Sequence, residues 1–278
     1  MTSTVLDGVL CLLLISGAVV TVTTSTPRET AGEGRAPEVS STLATTTASV
    51  NYTLDPTGEA GGSSFDRTAY GTLAELLARA AVGRVTVDGR RISHTRDGLG
   101  RAVASTVRGA IRENHTRVTA VWRPHPGSSI EGRVAVGARP PPDVPVHAAS
   151  MTVSSGLPAR HDEARDAAQT RGIEGVADVI AAGFVEGLFP PTRTRVAAGE
   201  ARPVSAVVRH HYRRVAERFG VDGPTRLSSG GVGDANDRLA VAVSDRVASD
   251  LRATNTSARA ASERVSLGRV RITVRTWP

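Results

Sequence analysis

The chain has 278 residues and a formal net charge of +7, and every one of its 34 basic residues is an arginine. Without lysine it cannot use Schiff-base catalysis, a Walker-type phosphate-binding lysine or S-x-x-K acyl transfer. A single cysteine, Cys11, excludes intrachain disulfides and cysteine-rich zinc sites.

In chain order, the first predicted element is apolar. No charged residue occurs from Gly8 to Val22, a run rich in Leu and Val. Such a stretch, as helix, rises about 22 Å, against a hydrocarbon core of roughly 30 Å. Extension through the threonines to Thr26 gives a helix that nearly spans. The leading MTSTVLD has no basic residue, and no Ala-x-Ala cleavage site follows. The expectation is a transmembrane helix within residues 1–26, held in the lipid bilayer. A cleaved signal and a buried soluble helix are the alternatives.

Arg28 and Arg35 on the C-terminal side favour a cytoplasmic body by the positive-inside tendency. The Thr/Ser-rich sequence that follows, and N-x-[ST] sequons at Asn51, Asn114 and Asn255, favour an extracytoplasmic, glycosylation-competent body. We adopt the second reading: a single-pass protein of the cell membrane with its body outside.

Residues 27–62 are rich in Thr, Ser, Gly, Pro and Glu and read as an extended stalk. LATTTASVNYTL within them is β-prone and reads equally as the first strand of the body. Residues 63–155 form an α+β module in the order αβαβββ. Ser64 caps a helix that carries Tyr70, Leu73, Leu76, Leu77 and Ala80 on one face. GRVTVDG is a strand with an Asp-Gly turn, and Leu99, Val103, Val107 and Ile111 mark a second helix. TRVTAVWR, SIEGRVAVGA and DVPVHAASMTV are three strands.

Residues 156–278 are mainly helical and either form a second module or share one domain with the first. A long helix covers 159–188, with Val176, Val179, Ile180 and Phe184 apolar and a stop at Pro190-Pro191. PVSAVVRHHYRRVAERFG buries Val204, Val208, Tyr212, Val215 and Phe219, and Gly220 ends it. A third helix spans 234–253, capped by Asp234. The closing GRVRITVRTW alternates Val270, Ile272 and Val274 with Arg269, Arg271, Thr273 and Arg275, which reads as a half-buried strand whose arginines on the open face would also discourage edge pairing. The fold class is α+β.

Few residues can be nominated for chemistry. His210 and His211 are adjacent on a helix, so their side chains diverge by about 100° and do not share one metal. His161-Asp162-Glu163 reads as a helix entry with carboxylates at the positive end of the dipole. In SSGGVGDAND, Asn236 stands where a phosphate loop has its third glycine. No H-E-x-x-H or G-x-S-x-G occurs. No catalytic, cofactor-binding or metal-binding residue is therefore nominated, and no cofactor is expected. The candidate interaction face is Arg209, Arg213, Arg214 and Arg218. No exposed aromatic ladder accompanies it for stacking bases, which favours a protein partner over nucleic acid.

TSTVLDGVLCLLL, STLATTTASVNYTL, RTAYGTLAELLARAAV with VDGRRISH, GLFPPTRTR and HHYRRVAERFG together resemble an uncharacterised haloarchaeal family of membrane-anchored proteins. The resemblance runs through most of the chain. It implies an association with type IV pilus or type II secretion-like gene clusters, hence a surface or secretion-apparatus role. Unlike a prepilin, the chain has no basic n-region with a Gly/Ala cleavage point, so an accessory or minor component is implied rather than a polymerising subunit. The expected function is thus a non-enzymatic membrane accessory of a pilus-like or secretion assembly. An anchored hydrolase is the alternative, and a basic module for anionic polymers is a further one.

Overall fold

The computed structural model describes residues 21–23, 34–56, 65–92, 95–111, 114–200, 204–224 and 227–278. The first elements are β1 (Thr21–Thr23), α1 (Ala36–Thr45), β2 (Thr47–Pro56), β3 (Phe65–Thr72), α2 (Leu73–Val82) and β4 (Val85–Val87). Next come β5 (Arg90–Arg91), β6 (Thr95–Asp97), α3 (Leu99–Ile111), β7 (Thr116–Trp122), β8 (Ile130–Val136) and β9 (His147–Ser154). Five helices follow: α4 (His161–Leu188), α5 (Pro191–Gly199), α6 (Val204–Arg218), α7 (Val232–Ala253) and α8 (Ala258–Glu263). The chain closes with β10 (Arg269–Thr276). The architecture is α+β.

The main sheet has seven strands in the order β1-β9-β10-β7-β8-β4-β5, and every pairing is antiparallel. A small antiparallel sheet, β3-β2-β6, stands apart from it. Alternation along β10 buries Val270, Ile272 and Val274 completely. β10 is nevertheless not an edge strand. It pairs with β9 from Arg269↔Ser154 to Thr276↔His147 and with β7 from Val270↔Trp122 to Thr276↔Thr116. The arginines that read as edge protection sit in the middle of the sheet.

Helices cover one sheet face. Leu73, Leu76, Leu77 and Ala80 of α2 are fully buried, as are Val103 and Val107 of α3. Gly132 of β8 lies under the end of α2, where a Cβ would run into the Ala81 carbonyl oxygen. Trp122 is buried against Phe184 of α4, ring centroids 5.7 Å apart, and its Nε1 donates to the Leu267 carbonyl at 2.7 Å. Val176 and Ile180 of α4 and Val243 and Val247 of α7 continue the same apolar cluster. One core therefore runs through both halves of the chain, and residues 155 and 156 do not mark a boundary between separate cores.

Several expectations change. The stretch read as a stalk is folded over 36–56. Ala36, Val39 and Leu43 make a buried stripe on α1, and Pro37 sits in its first turn, as suits a helix start. Thr47–Pro56 is the strand that LATTTASVNYTL allowed. The helix expected from Ser64 starts only at Leu73. Thr72 caps it, its hydroxyl accepting from the Glu75 amide while Glu75 accepts from the Thr72 amide. Tyr70 belongs to β3 and is 65% exposed. α4 is broken at Gly172, whose φ of 64° and ψ of −144° suit glycine alone. α7 is capped by Gly231, with Asp234 inside its first turn. Of the helix expected to 26, Thr21–Thr23 instead form β1, and residues 1–20 and 24–26 lie outside the described residues. Among the described residues no helix is long and apolar enough to cross a membrane.

The β7–β8 loop is clamped onto α7. Asp250 accepts from the Ser129 amide at 2.7 Å and from its hydroxyl at 2.6 Å, and Arg246 Nε donates to that hydroxyl at 2.9 Å. Arg246 also pairs with Asp88 in the β4–β5 turn. His125 is buried in the loop, its Nδ1–H donating to the Pro126 carbonyl at 2.9 Å. Burial depresses its pKa below the ordinary 6.5, against the opposing effects of Pro126 and Asp250. The folded state thus favours neutral His125, and the unfolded chain takes up a proton first as pH falls through 6.5. Stability is lost from that point downward, until the folded histidine titrates as well. Urea midpoints measured from pH 7.5 to 5.5 are expected to fall less steeply in His125→Gln than in the parent.

Candidate functional site: an arginine face

The uncovered face of the main sheet is the most distinctive surface of the protein. Residues alternate across a strand, so Arg269, Arg271 and Arg275 of β10 share one side. The pairings place Arg271 opposite Val121, Thr273 opposite Thr119 and Arg275 opposite Arg117 on β7. On the other flank Arg271 meets Thr152, Thr273 meets Ser150 and Arg275 meets Ala148. Val121 in turn faces Arg133 of β8. With Arg123, directly after β7, these strands present six arginines and one carboxylate, Glu131. Arg117 is half-buried and the other five arginines are exposed.

Glu131 pairs with Arg123 and stands 3.9 Å from Arg133. Arg269 donates to the Val265 carbonyl at 3.1 Å and Arg117 to the Gly137 carbonyl at 3.3 Å. Among the described residues no carboxylate pairs with Arg117, Arg269, Arg271 or Arg275. Burial, followed by repulsion from Arg139, Arg133 and Arg275, holds the Arg117 guanidinium below its ordinary pKa. It stays cationic at neutral pH all the same, because arginine starts so high. Like charges directly opposite on neighbouring strands are destabilising by about 0.2–1 kcal/mol, the low end applying where water screens them.

The residues singled out in the sequence lie elsewhere. Arg209, Arg213, Arg214 and Arg218 are all on α6 and only half-exposed. Arg214 pairs with Glu217 at 3.2 Å, and Arg213 lies 3.1 Å from His210 Nδ1. His211 packs on Phe189 at 4.7 Å between centroids, and Phe189 stacks on Tyr212 at 3.7 Å. Tyr212 donates to Asn236 at 2.5 Å and Asn236 donates to the Phe189 carbonyl at 3.1 Å. Burial pushes the Tyr212 phenol pKa up. Asn236, from the glycine-rich run, thus joins α6 to α7. His161, Asp162 and Glu163 open α4, where Glu163 accepts from Arg160, which also pairs with Glu186. The sequon residues Asn51, Asn114 and Asn255 are all exposed, Asn255 in a turn with φ of 50°. Asn51 accepts from the Thr68 hydroxyl at 2.8 Å. Among the described residues no three His, Cys, Asp or Glu side chains gather as a metal site.

The sheet arginines were visible in the sequence as a period-two pattern in GRVRITVRT, but not as one surface. A match to a family of unknown function, DUF7284, covers residues 6–277. The chain belongs to that family. The matched span takes in the apolar N-terminal run as well as the body. Comparison with curated proteins and with solved structures gives no match.

The like-charge row makes a stability prediction. Arg275→Gln removes the repulsion with Arg117 and keeps most of the side-chain stem. Its melting temperature at low salt is expected to exceed the parent's by about 1–3 °C. The gain should shrink in high salt, where the parent is screened already.

Proposed function

We propose that the protein is a non-enzymatic binding component whose body docks an acidic protein surface on the arginine face of its main sheet. The observation that carries this reading is the excess of guanidinium groups on that face, with Arg117 and Arg275 directly opposed. An acidic partner relieves this repulsion, and forked guanidinium groups bind carboxylates bidentately. Between the arginines stand Thr119, Ser150, Thr152, Thr273, Ala135 and Ala148, none of them an aromatic residue on which bases could stack. That composition favours a protein over single-stranded nucleic acid.

We place the body outside the cell, held at the membrane by the apolar residues that precede β1. In this reading it is an accessory component of a pilus-like or secretion assembly in a haloarchaeal cell. Molar salt shortens the Debye length to about 3 Å, so only contacts as close as arginine–carboxylate pairs survive there. The anchored-hydrolase reading has less support, since His161, Asp162 and Glu163 open α4 while His210 sits on α6 beside Arg213.

Polyglutamate serves as a probe of the face. The triple variant Arg117→Gln, Arg133→Gln, Arg275→Gln is expected to bind it at least about tenfold more weakly, as loss of charge-assisted contacts implies. Neutralising Arg209, Arg213, Arg214 and Arg218 together should leave binding within about twofold. The opposite ranking would move the docking surface to α6. Separately, the full chain should remain with membranes through carbonate extraction, and removal of residues 1–20 should release it. Release of the full chain would refute the anchor.

A further inference from the structure

The arginine face is not uniform. At the end where β10 enters the sheet it holds a cavity of about 430 Å³. Four arginines line it, Arg123, Arg264, Arg269 and Arg271, together with the hydroxyl side chains Thr152 and Ser266. A volume of this order falls in the range that takes a small ligand.

Distant segments of the chain build the cavity. Arg269 and Arg271 project from β10, and Arg271 sits in register with Thr152 of β9. Arg123 leaves the end of β7, and Arg264 is the residue that closes α8. Two bonds fix the loop that carries Arg264 against β7. The Ser266 amide donates to the Pro124 carbonyl at 2.8 Å, and its hydroxyl donates to the Arg123 carbonyl at 2.8 Å. Arg269 is held from behind by its bond to the Val265 carbonyl. Among the described residues no carboxylate lines the cavity. Of the four arginines, Arg123 pairs with Glu131.

We propose that this cavity binds a tetrahedral oxyanion of the phosphate class, carried by a small molecule or by a lipid headgroup. The proposal rests on the reading of the sheet as an anion-docking face and narrows it to one chemical group. A carboxylate has two oxygens and one charge, too few for four guanidinium groups. A phosphate group has up to two charges and more acceptor oxygens, and forked arginine donors match its geometry. The hydroxyl of Thr152 adds a neutral donor for a phosphate oxygen, while that of Ser266 is engaged by the Arg123 carbonyl.

The test titrates the full chain with inorganic phosphate and pyrophosphate by calorimetry at low chloride. A second arm measures binding to vesicles of phosphatidic acid in phosphatidylcholine against phosphatidylcholine alone, which sets the baseline for the apolar segment. Saturable binding, weakened about tenfold by Arg264→Gln and by Arg271→Gln but not by Arg209→Gln, supports the site. If only the phosphatidic acid increment shows that sensitivity, the site stands with a lipid as its source. Binding in neither arm, or binding indifferent to both substitutions, overturns it. Arg264 and Arg271 are untouched in the polyglutamate triple variant. Retained polyglutamate binding without phosphate binding therefore removes the cavity site alone, whereas loss of both removes the docking face as well.

Discussion

The insertion of β10 between β9 and β7 is the constraint on which the rest of the structure depends. Without it the main sheet separates into β1-β9 on one side and β7-β8-β4-β5 on the other. The last strand of the chain joins segments more than a hundred residues earlier, and such non-local pairing closes late and slowly. The same insertion buries Val270, Ile272 and Val274 and displays Arg269, Arg271 and Arg275. The apolar core and the charged face are two sides of one register. A slip by one residue would turn the arginines into the core and the valines into water, so the burial energy of one face enforces the arrangement of the other.

That enforcement explains how a repulsive surface persists. Arg117 and Arg275 face each other because the register places them there, and a guanidinium such as that of Arg117 does not relieve the repulsion by losing a proton near neutral pH. Lysines in these positions could titrate more readily. What remains is screening by salt, solvation of exposed groups, or an anion. An anion that binds only the folded sheet adds its binding free energy to the stability of the fold.

Elements defined by local pattern were legible in the sequence. Leu99, Val103 and Val107 marked α3, Val176, Ile180 and Phe184 marked α4, and Asp88-Gly89 marked the β4–β5 turn. Where composition was weighed above spacing, the reading failed. The threonines and serines of 36–56 suggested a stalk, although Ala36, Val39 and Leu43 already had the spacing of a buried helical stripe. The Thr72–Glu75 capping box was likewise present, but Ser64, a good capping residue by type, stood ahead of it. The site was less legible for a different reason. The arginines of α6 are neighbours in sequence and therefore look like a face. Those of the sheet come from β7, β8 and β10, and only strand order and register make them neighbours. Neither follows from one strand's own pattern.

β1 alters what a membrane attachment would mean. A stalk would let the body wander tens of ångströms from the bilayer, but the sheet already takes in Thr21, within the uncharged run itself. On the proposed anchoring, a helix over residues 8–20 would rise only about 20 Å, and a span of that length would have to thin the bilayer locally or draw polar flanks toward it. Thr21 and Thr23, which would have lengthened it, are committed to β9, opposite Thr152 and Ser150. A body held in the proposed way would carry β1 at the membrane interface, with Ser150 and Thr152 on the arginine side of the sheet. If the proposed anchor and the proposed docking face both hold, the partner that meets that face is one presented close to the bilayer, as in a membrane-embedded assembly, rather than one captured at a distance.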